Sequence, residues 1–491
     1  MNILLVNIAH PAIGSRLAGE HLPPLGLLAV GGPLLDAGHS VRLIDGDHDN
    51  TPVYALADEI AAARPDALLL GHSGSTPAQP ILDELTRLVR PRCPETSIVL
   101  GGVFPTFHWA DILRSQPQYD YIVRGEGEAV TLALITALAR GEAPAAVRGI
   151  AFRQDGRPVC TEAGPPIDLD EWRVGWELMA GRNYTYYGGG RAVLYQFSRG
   201  CPYACTYCGQ NRFWRQWRHR DPERAAAELA RLHRDMGVRV VNLADEDPAA
   251  DQAAWRAFLE ALVSRRLNLK LVGSIRADHI VRDADFLHLY REAGCERFLL
   301  GIESYNARTL KNINKMSSRD KDREAIRLLR RHGIIAMATY AVGFGDERLP
   351  DFLHTLCCLL RYDPDQIQFV YATPHRWTPY YETVRNRKVV QADQRFWDYR
   401  HQVLALEHVP PWLVILCVKL MEVIMQARPR AIFRLFFQRD RRLRAAMAWY
   451  SRIGRRVWFW ELWQFFLVLR RPKGPLTVRE FWERGAQREE R

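Results

Sequence analysis

The chain has 491 residues, of which 47% are hydrophobic and 25% charged. That balance excludes a disordered or fibrous protein, and the length allows about three domains of ~150 residues each. Its net charge of +11 leaves nucleic acid, a membrane surface or an acidic ligand as partners. The basic excess lies at 428–444, 452–456 and 470–473, mixed with Trp, Phe and Tyr. Such a mixture suits a membrane interface, a pocket for a large flat anion, or the solvated face of a helical domain. No nucleic-acid motif accompanies it. Lys419 and Glu422 interrupt the longest apolar stretch, at 412–425, so no run reaches the ~18 residues of a membrane span. Met1-Asn2-Ile3-Leu4-Leu5-Val6-Asn7 lacks the basic start of a secretory signal and reads as a first strand. A cytoplasmic protein is expected.

Strands are expected at 3–7, 41–45, 67–71, 97–101 and 121–124, with helices at 25–37, 53–63, 80–90 and 129–140. This alternation predicts an α/β fold that begins with a doubly wound parallel sheet, whose ligands sit beyond the carboxyl ends of the strands. The turns at those ends are Gly71-His72-Ser73-Gly74-Ser75-Thr76, Gly101-Gly102-Val103-Phe104-Pro105-Thr106 and Arg124-Gly125-Glu126-Gly127-Glu128. They offer backbone donors and little bulk to a large flat or phosphate-bearing cofactor. Ser73, Thr76, Gly101, Gly102 and Glu126 are the expected contacts. Residues 141–190, rich in Gly and Pro, read as a linker carrying a small hairpin.

A second alternating region covers 191–371, with strands at 194–198, 238–244, 269–274, 297–302, 337–342 and 366–371. Helices are expected between them at 222–236, 252–265, 284–293, 321–332 and 351–361. Six βα units in a row predict a partial (β/α)6 barrel with reactive residues at the strand C-termini. Residues 372–491 become helical, aromatic and basic.

The decisive stretch is Arg199-Gly200-Cys201-Pro202-Tyr203-Ala204-Cys205-Thr206-Tyr207-Cys208-Gly209. Cysteines scattered at random in this number would give such a triple spacing about 0.003 times. Cys201, Cys205 and Cys208 on one loop after a strand can ligate three irons of a 4Fe–4S cube and leave the fourth open for chemistry. Zinc is the alternative, and it calls for a fourth ligand nearby; His219 is the nearest candidate. Cys93, Cys160, Cys295, Cys357, Cys358 and Cys417 read as small core residues, with no disulfide framework in a cytosolic chain.

The C-x3-C-x2-C spacing at the end of a first barrel strand resembles the radical S-adenosylmethionine (SAM) superfamily. That resemblance implies SAM on the open iron and its one-electron cleavage to a 5′-deoxyadenosyl radical, with Tyr207 beside the adenine. It implies further SAM contacts at later strand ends. Glu246 would lie near the amine, Ser274 and Arg276 near ribose and carboxylate, and Glu303 would accept from a ribose hydroxyl or the amine. Gly343-Phe344-Gly345 would face the adenine. The front domain resembles the cobalamin-binding subgroup, whose turns enclose the nucleotide tail at positions matching 73–76 and Gly101-Gly102. One signature of that subgroup, D-x-H-x-x-G, is missing. Asn7-Ile8-Ala9-His10-Pro11-Ala12-Ile13-Gly14 has different spacing, so His10 is not assigned as a lower cobalt ligand.

Longer segments, among them His21-Leu22-Pro23-Pro24-Leu25-Gly26, Phe213-Trp214-Arg215-Gln216-Trp217-Arg218-His219-Arg220 and Thr373-Pro374-His375-Arg376-Trp377-Thr378-Pro379-Tyr380, are similar to the anaerobic oxidative cyclase family of (bacterio)chlorophyll biosynthesis. The similarity implies a magnesium porphyrin monoester as substrate and an isocyclic ring whose keto oxygen comes from water. It further implies a reduced ferredoxin- or flavodoxin-type donor and peripheral contact with the inner or photosynthetic membrane. Aromatic and Arg-bearing stretches at 213–220, 375–381 and 449–463 would wall the porphyrin, and Arg376 would hold its free propionate. His375 or His219 would approach the magnesium, act as a base, or be a satisfied structural histidine. Two other readings remain: a cobalamin-dependent radical SAM methyltransferase acting on an unactivated carbon, and a non-catalytic cobalamin- or light-sensing regulator.

Overall fold

Apolar runs covered on both faces favour parallel strands, and the front third builds a sheet of this kind. A computed structural model describes residues 1–10, 20–72, 76–469 and 476–488. Its first strands are β1 (Asn2–Asn7), β2 (Ser40–Asp45), β3 (Ala67–His72), β4 (Ser97–Gly102) and β5 (Tyr121–Val123), all parallel. The antiparallel hairpin β6 (Ile150–Gln154) and β7 (Arg157–Cys160) adds two more, giving the order β2-β1-β3-β4-β5-β6-β7. The hairpin expected within the linker thus extends the first sheet. Helices α1 (Leu25–Asp36), α2 (Val53–Ala63), α3 (Ala78–Val89), α4 (Val103–Ser115) and α5 (Gly127–Ala139) complete this unit.

Helix α4 corrects the expected turn at 101–106. Gly101 is still paired in β4 and only Gly102, the strand's last residue, turns, at φ 117°, so Val103 opens the helix directly. Pro105 sits in the first helical turn, where its missing N–H forfeits no bond.

The second sheet has the order β16-β15-β14-β13-β12-β9-β8. These are β8 (Thr185–Tyr186), β9 (Gly190–Tyr195), β12 (Val240–Leu243), β13 (Lys270–Ile275), β14 (Cys295–Glu303), β15 (Ile335–Val342) and β16 (Gln366–Tyr371), parallel except for β8. Six parallel strands bear out the expected count. The first ends at Tyr195, earlier than expected, because the Asp245 carboxylate accepts from the backbone N–H groups of Phe197 and Ser198 and draws the chain out of the sheet. A short ribbon follows, β10 (Ser198–Arg199) with β11 (Arg218–His219), and it ties together the two ends of the cysteine loop.

Around this sheet lie α6 (Gln210–Trp214), α7 (Pro222–Met236), α8 (Gln252–Ser264), α9 (Ala277–Arg282), α10 (Leu287–Glu292), α11 (Ala307–Asn312), α12 (Arg319–Arg331) and α13 (Leu349–Tyr362). Helix α7 starts where Pro222 follows an Asp221 carboxylate that accepts from the Arg224 N–H. The barrel stays open, since β16 and β9 do not pair. After α14 (Pro379–Val384), the helices α15 (Pro411–Ala427), α16 (Pro429–Phe437), α17 (Arg441–Trp463) and α18 (Val478–Arg488) follow. Leu443, Ala446, Trp449 and Ile453 of α17 pack on Ala192, Val240, Val272 and Ile335 near the N-terminal ends of the strands. Helix α15 packs on Ile367 and Phe369 of β16. Of the cysteines expected in the core, Cys93, Cys295 and Cys358 are buried, whereas Cys160, on the edge strand, and Cys357 are exposed.

Candidate active site

The loop from Cys201 to Cys208 leaves the barrel at the C-terminal end of β9 and is held by backbone hydrogen bonds on both sides. Thr206 N–H donates to Ile313 O and Tyr380 N–H to Thr206 O, each at 2.9 Å. Gly200 takes φ 88°, and a Cβ there would come within 2.5 Å of Gln216 O. Burial pushes the Cys201 thiol up to about 12 and the Cys208 thiol up to about 11, and it raises Cys205 as well. Lys315 and Arg276 pull Cys205 the other way. Three half-buried thiols that resist ionisation by themselves are suited to a metal that replaces their protons. A single zinc would gather thiolates at ~2.3 Å from one centre. Among the described residues, the group whose ligating atoms all fall within 4.8 Å of one another is Asp346, Glu407 and His408, not the cysteines. The wider spacing fits an iron–sulfur cube.

Tyr207 packs its ring on Phe344 at 4.7 Å between centroids, which brings Gly343-Phe344-Gly345 beside it. Glu303 ends β14 in a left-handed conformation, φ 63°, across a register shift after Gly301. Its carboxylate accepts from Lys315 Nζ at 3.3 Å. The Arg276 guanidinium stacks on the Tyr203 ring at 3.5 Å and forms a fork with Asp278 at 2.9 and 3.0 Å. It also donates to the carbonyls of Lys315 and Met316. Arg276 therefore fastens the cysteine loop to the 315–316 turn. Lys315 escaped sequence reading; the left-handed Asn314 and Met316 that flank it carry no side-chain signature.

The three acids after β12 face different ways. Asp245 holds Ser198, and Glu246 accepts from Trp214 Nε1 at 2.8 Å and Gly200 N–H at 3.3 Å. Burial pushes the Glu246 carboxyl up to about 7. Asp247 accepts from His279 Nδ1, and the Tyr203 hydroxyl donates to the other ring nitrogen of that histidine. Asp247 Oδ2 is buried with no partner among the described residues. An amine of a bound ligand would satisfy it.

Between the two sheets lies a cavity of about 350 Å³. Gly71, Gly101, Gly102 and Gly125 line one side, and Gln210, Trp214 and Glu246 the other. A Cβ at Gly125 would meet nothing within 4 Å, and one at Gly101 only Val123 at 3.8 Å. These strand ends are bare, as a large cofactor requires. Gln210 Oε1 is buried without a partner among the described residues, an acceptor suited to an amide-rich ligand. Glu126 also lines the cavity, but its carboxylate is clamped by Arg199 and Arg218 of the barrel. Glu128 shares Arg199. The expected cofactor contact at Glu126 is thus an interdomain ion pair. The Thr76 hydroxyl is likewise taken, by His375 Nδ1 at 3.0 Å. Ser73 lies outside the described residues.

The expected porphyrin walls do not converge on one cavity. Phe213 and Trp214 face the interdomain space, Trp449 faces a separate space inside the barrel, and Phe459, Trp460 and Trp463 are exposed. Ser274 also lies in that inner space, with Asn242. Arg376 pairs with Asp111 at 2.6 Å on the surface and is not free for a propionate. His375 is buried between Thr76 and Tyr399, held down to about 3 by burial. His219 bonds its neighbour's carbonyl at 2.7 Å. Both are satisfied histidines.

Residues 195–356 match the radical SAM superfamily and residues 13–135 the B12 binding domain. The chain is 53% identical over 483 residues to the anaerobic magnesium-protoporphyrin IX monomethyl ester cyclase of Synechocystis, covering 98% of this chain and 97% of that one. It is 32% identical to the Rubrivivax gelatinosus cyclase, over 76% and 68% of the two chains. The fold is shared with the cobalamin-dependent SAM radical enzyme OxsB, solved with aqua-cobalamin and SAM. The TM-score is 0.67 at 17% identity, with 93% of this chain and 72% of that one covered. Fold and site define a cobalamin-type radical SAM enzyme, with a 4Fe–4S cluster, SAM and cobalamin as its cofactors. The chain belongs to the family of anaerobic magnesium-protoporphyrin IX monomethyl ester cyclases.

Proposed function

We propose that the protein performs the oxygen-independent oxidative cyclisation of magnesium-protoporphyrin IX monomethyl ester to protochlorophyllide, with the new keto oxygen from water. The observation that carries this reading is the placement of the cysteine loop. Its root at Arg199 and the residues after Cys208, Gln210, Phe213 and Trp214, form one wall of the cavity whose other wall is the bare glycine ends of the front sheet. When bound, the cluster and SAM supply a primary carbon radical able to take hydrogen from an unactivated propionate methylene.

The chain's own residues position and shield that chemistry. Cys201, Cys205 and Cys208 would ligate the cluster, Tyr207, packed on Phe344, would lie beside the SAM adenine, and Asp247, with Glu246 behind the loop, would receive the SAM amine. Glu303 and Lys315 form a buried polar floor, and Arg276 holds the loop against it. Arg199 locks the two units together through Glu126 and Glu128. The electron donor is a reduced ferredoxin- or flavodoxin-type protein.

We further infer a peripheral contact with an anionic membrane surface. No helix among the described residues is long and apolar enough to cross a membrane. Trp412, Leu416, Leu420 and Val423 form one exposed stripe of α15, and Phe433, Phe437, Phe459, Trp460 and Trp463 are exposed nearby in sequence. Between 411 and 468 the fully exposed charges are all Arg, while Glu422, Asp440 and Glu461 are each paired with a cation and Glu461 is buried. Aromatic residues rimmed by cations suit an anionic lipid interface.

The test is anaerobic incubation of reconstituted protein with SAM, a reductant, cobalamin and the magnesium porphyrin monoester. The isocyclic ketone with 5′-deoxyadenosine is expected. A methylated porphyrin with S-adenosylhomocysteine would instead establish the methyltransferase reading.

A further inference from the structure

A second cavity, of about 260 Å³, lies inside the barrel behind α15 and α17. Asn242, Ser274, Gln368, Gln426 and Trp449 line it together with Arg297. Arg297 stands six positions before Glu303 on β14, roughly 20 Å from it at ~3.3 Å per residue. Arg297 therefore sits at the end of the cavity away from the cysteine loop, which Ser274 approaches from the other end.

Arg297 is only 8% exposed, and its Nε has no partner among the described residues. Its side-chain hydrogen bond among the described residues is a long one, from Nη2 to the Tyr186 hydroxyl at 3.4 Å. The rings of Tyr187 and Trp449 flank the guanidinium at 5.1 and 5.7 Å, fixing its plane without neutralising it. Among the described residues no carboxylate pairs with it, and the groups that favour its charge are tyrosines. The remaining charges at the wall cancel in pairs. Arg400 and Lys419 meet Glu461, and Lys419 also meets Glu422. One buried positive charge is left over, with polar amides and a hydroxyl around it. Such a charge is strongly unfavourable unless an anion shares its site.

We propose that Arg297 binds a carboxylate in this cavity, its planar fork meeting both oxygens. Two sources share that chemistry. One is the free propionate of the porphyrin, which rests on the cyclase reading. The other is a small carboxylate taken from solution, which does not.

The experiment compares full-length, anaerobically reconstituted wild type with Arg297→Met and Arg297→Lys. Binding of the magnesium porphyrin monomethyl ester and of its dimethyl ester is followed by the Soret shift, and thermal unfolding is followed with increasing acetate. A propionate site gives about ten-fold tighter wild-type binding of the monoester than of the diester, and R297M removes that preference. A solution anion gives equal binding of the two esters and a saturable rise of the wild-type Tm with acetate, absent in R297M. R297M loses an unpaired charge and is expected to unfold no earlier than wild type without acetate; R297K keeps the charge but not the fork and gives an intermediate response. If wild type shows neither the ester preference nor the acetate shift, the proposal is overturned. These readouts are binding and stability, so a failure to form the isocyclic ring leaves them intact.

Discussion

Lys315 Nζ lies 3.3 Å from Glu303 Oε1 directly over Gly301, where a Cβ would come within 2.6 Å of that carboxylate and 2.7 Å of the ammonium. The pair is buried on both sides, and the ammonium also favours the Cys205 thiolate. Removing one partner of a buried pair costs about 3–5 kcal/mol. Lys315→Met is expected to lower the unfolding midpoint by that order and to reduce iron retained per chain. Gly301→Ala is expected to act in the same direction by displacing the pair. Iron analysis beside chemical denaturation checks both; unchanged iron in K315M would contradict the role given to the lysine.

Arg199 joins the front domain to the root of the cysteine loop through Glu126 and Glu128, and it lies over the Trp214 ring at 5.0 Å. Arg199→Met strands the buried Glu128 carboxylate and leaves Glu126 to Arg218 alone, and is expected to weaken both stability and cobalamin retention. Adding Glu128→Gln to R199M is expected to recover part of the loss, because groups in one network do not add. A double-mutant cycle on denaturation midpoints measures this. Strict additivity would show Arg199 and Glu128 to be independent.

Asp322, beyond Lys315 from the cysteine loop, gives a pH signature of its own. Burial pushes its carboxyl up to about 7, against a hydrogen bond from Ser317 and the charge of Lys315. In the unfolded chain such a group titrates near ~3.9. The folded state therefore binds the proton more tightly. Its stabilising share is complete below about pH 4 and is lost as pH rises toward about 7, at up to about 1.4 kcal/mol per pH unit. Asp322→Asn is neutral throughout, so its urea midpoints are expected to fall less than those of wild type across that window and to exceed them at pH 8. Parallel profiles would place the titration elsewhere.

The exposed aromatic face of α17 makes a separate claim. Replacing Phe459, Trp460 and Trp463 with Ser is expected to abolish sedimentation with phosphatidylglycerol vesicles while leaving 5′-deoxyadenosine formation in solution unchanged. Wild-type binding is expected to weaken with salt and to be slight on neutral phosphatidylcholine. Equal binding to both lipids would remove the electrostatic part.

Much of this was legible in the sequence. The six barrel strands and the helix at Pro222–Met236 followed from the period of their apolar residues, and the cysteine spacing named its own chemistry. Helix α4 was hidden because Gly101-Gly102 and Pro105 look like one continuous turn, although only Gly102 turns. Contacts set by tertiary approach left no local trace. Arg376 next to Trp377 resembles a ligand clamp in one dimension, yet Asp111 of the front domain takes it. Arg297 looks like any strand residue until the closing helices bury it beside acids that are paired to Arg400 and Lys419.

The most direct measurement is the metal content of anaerobically purified protein, taken beside the triple variant Cys201→Ala, Cys205→Ala, Cys208→Ala. Roughly four irons per wild-type chain, with iron lost from the variant, is the expected result. One zinc per chain, or iron that survives loss of the three thiols, would contradict it.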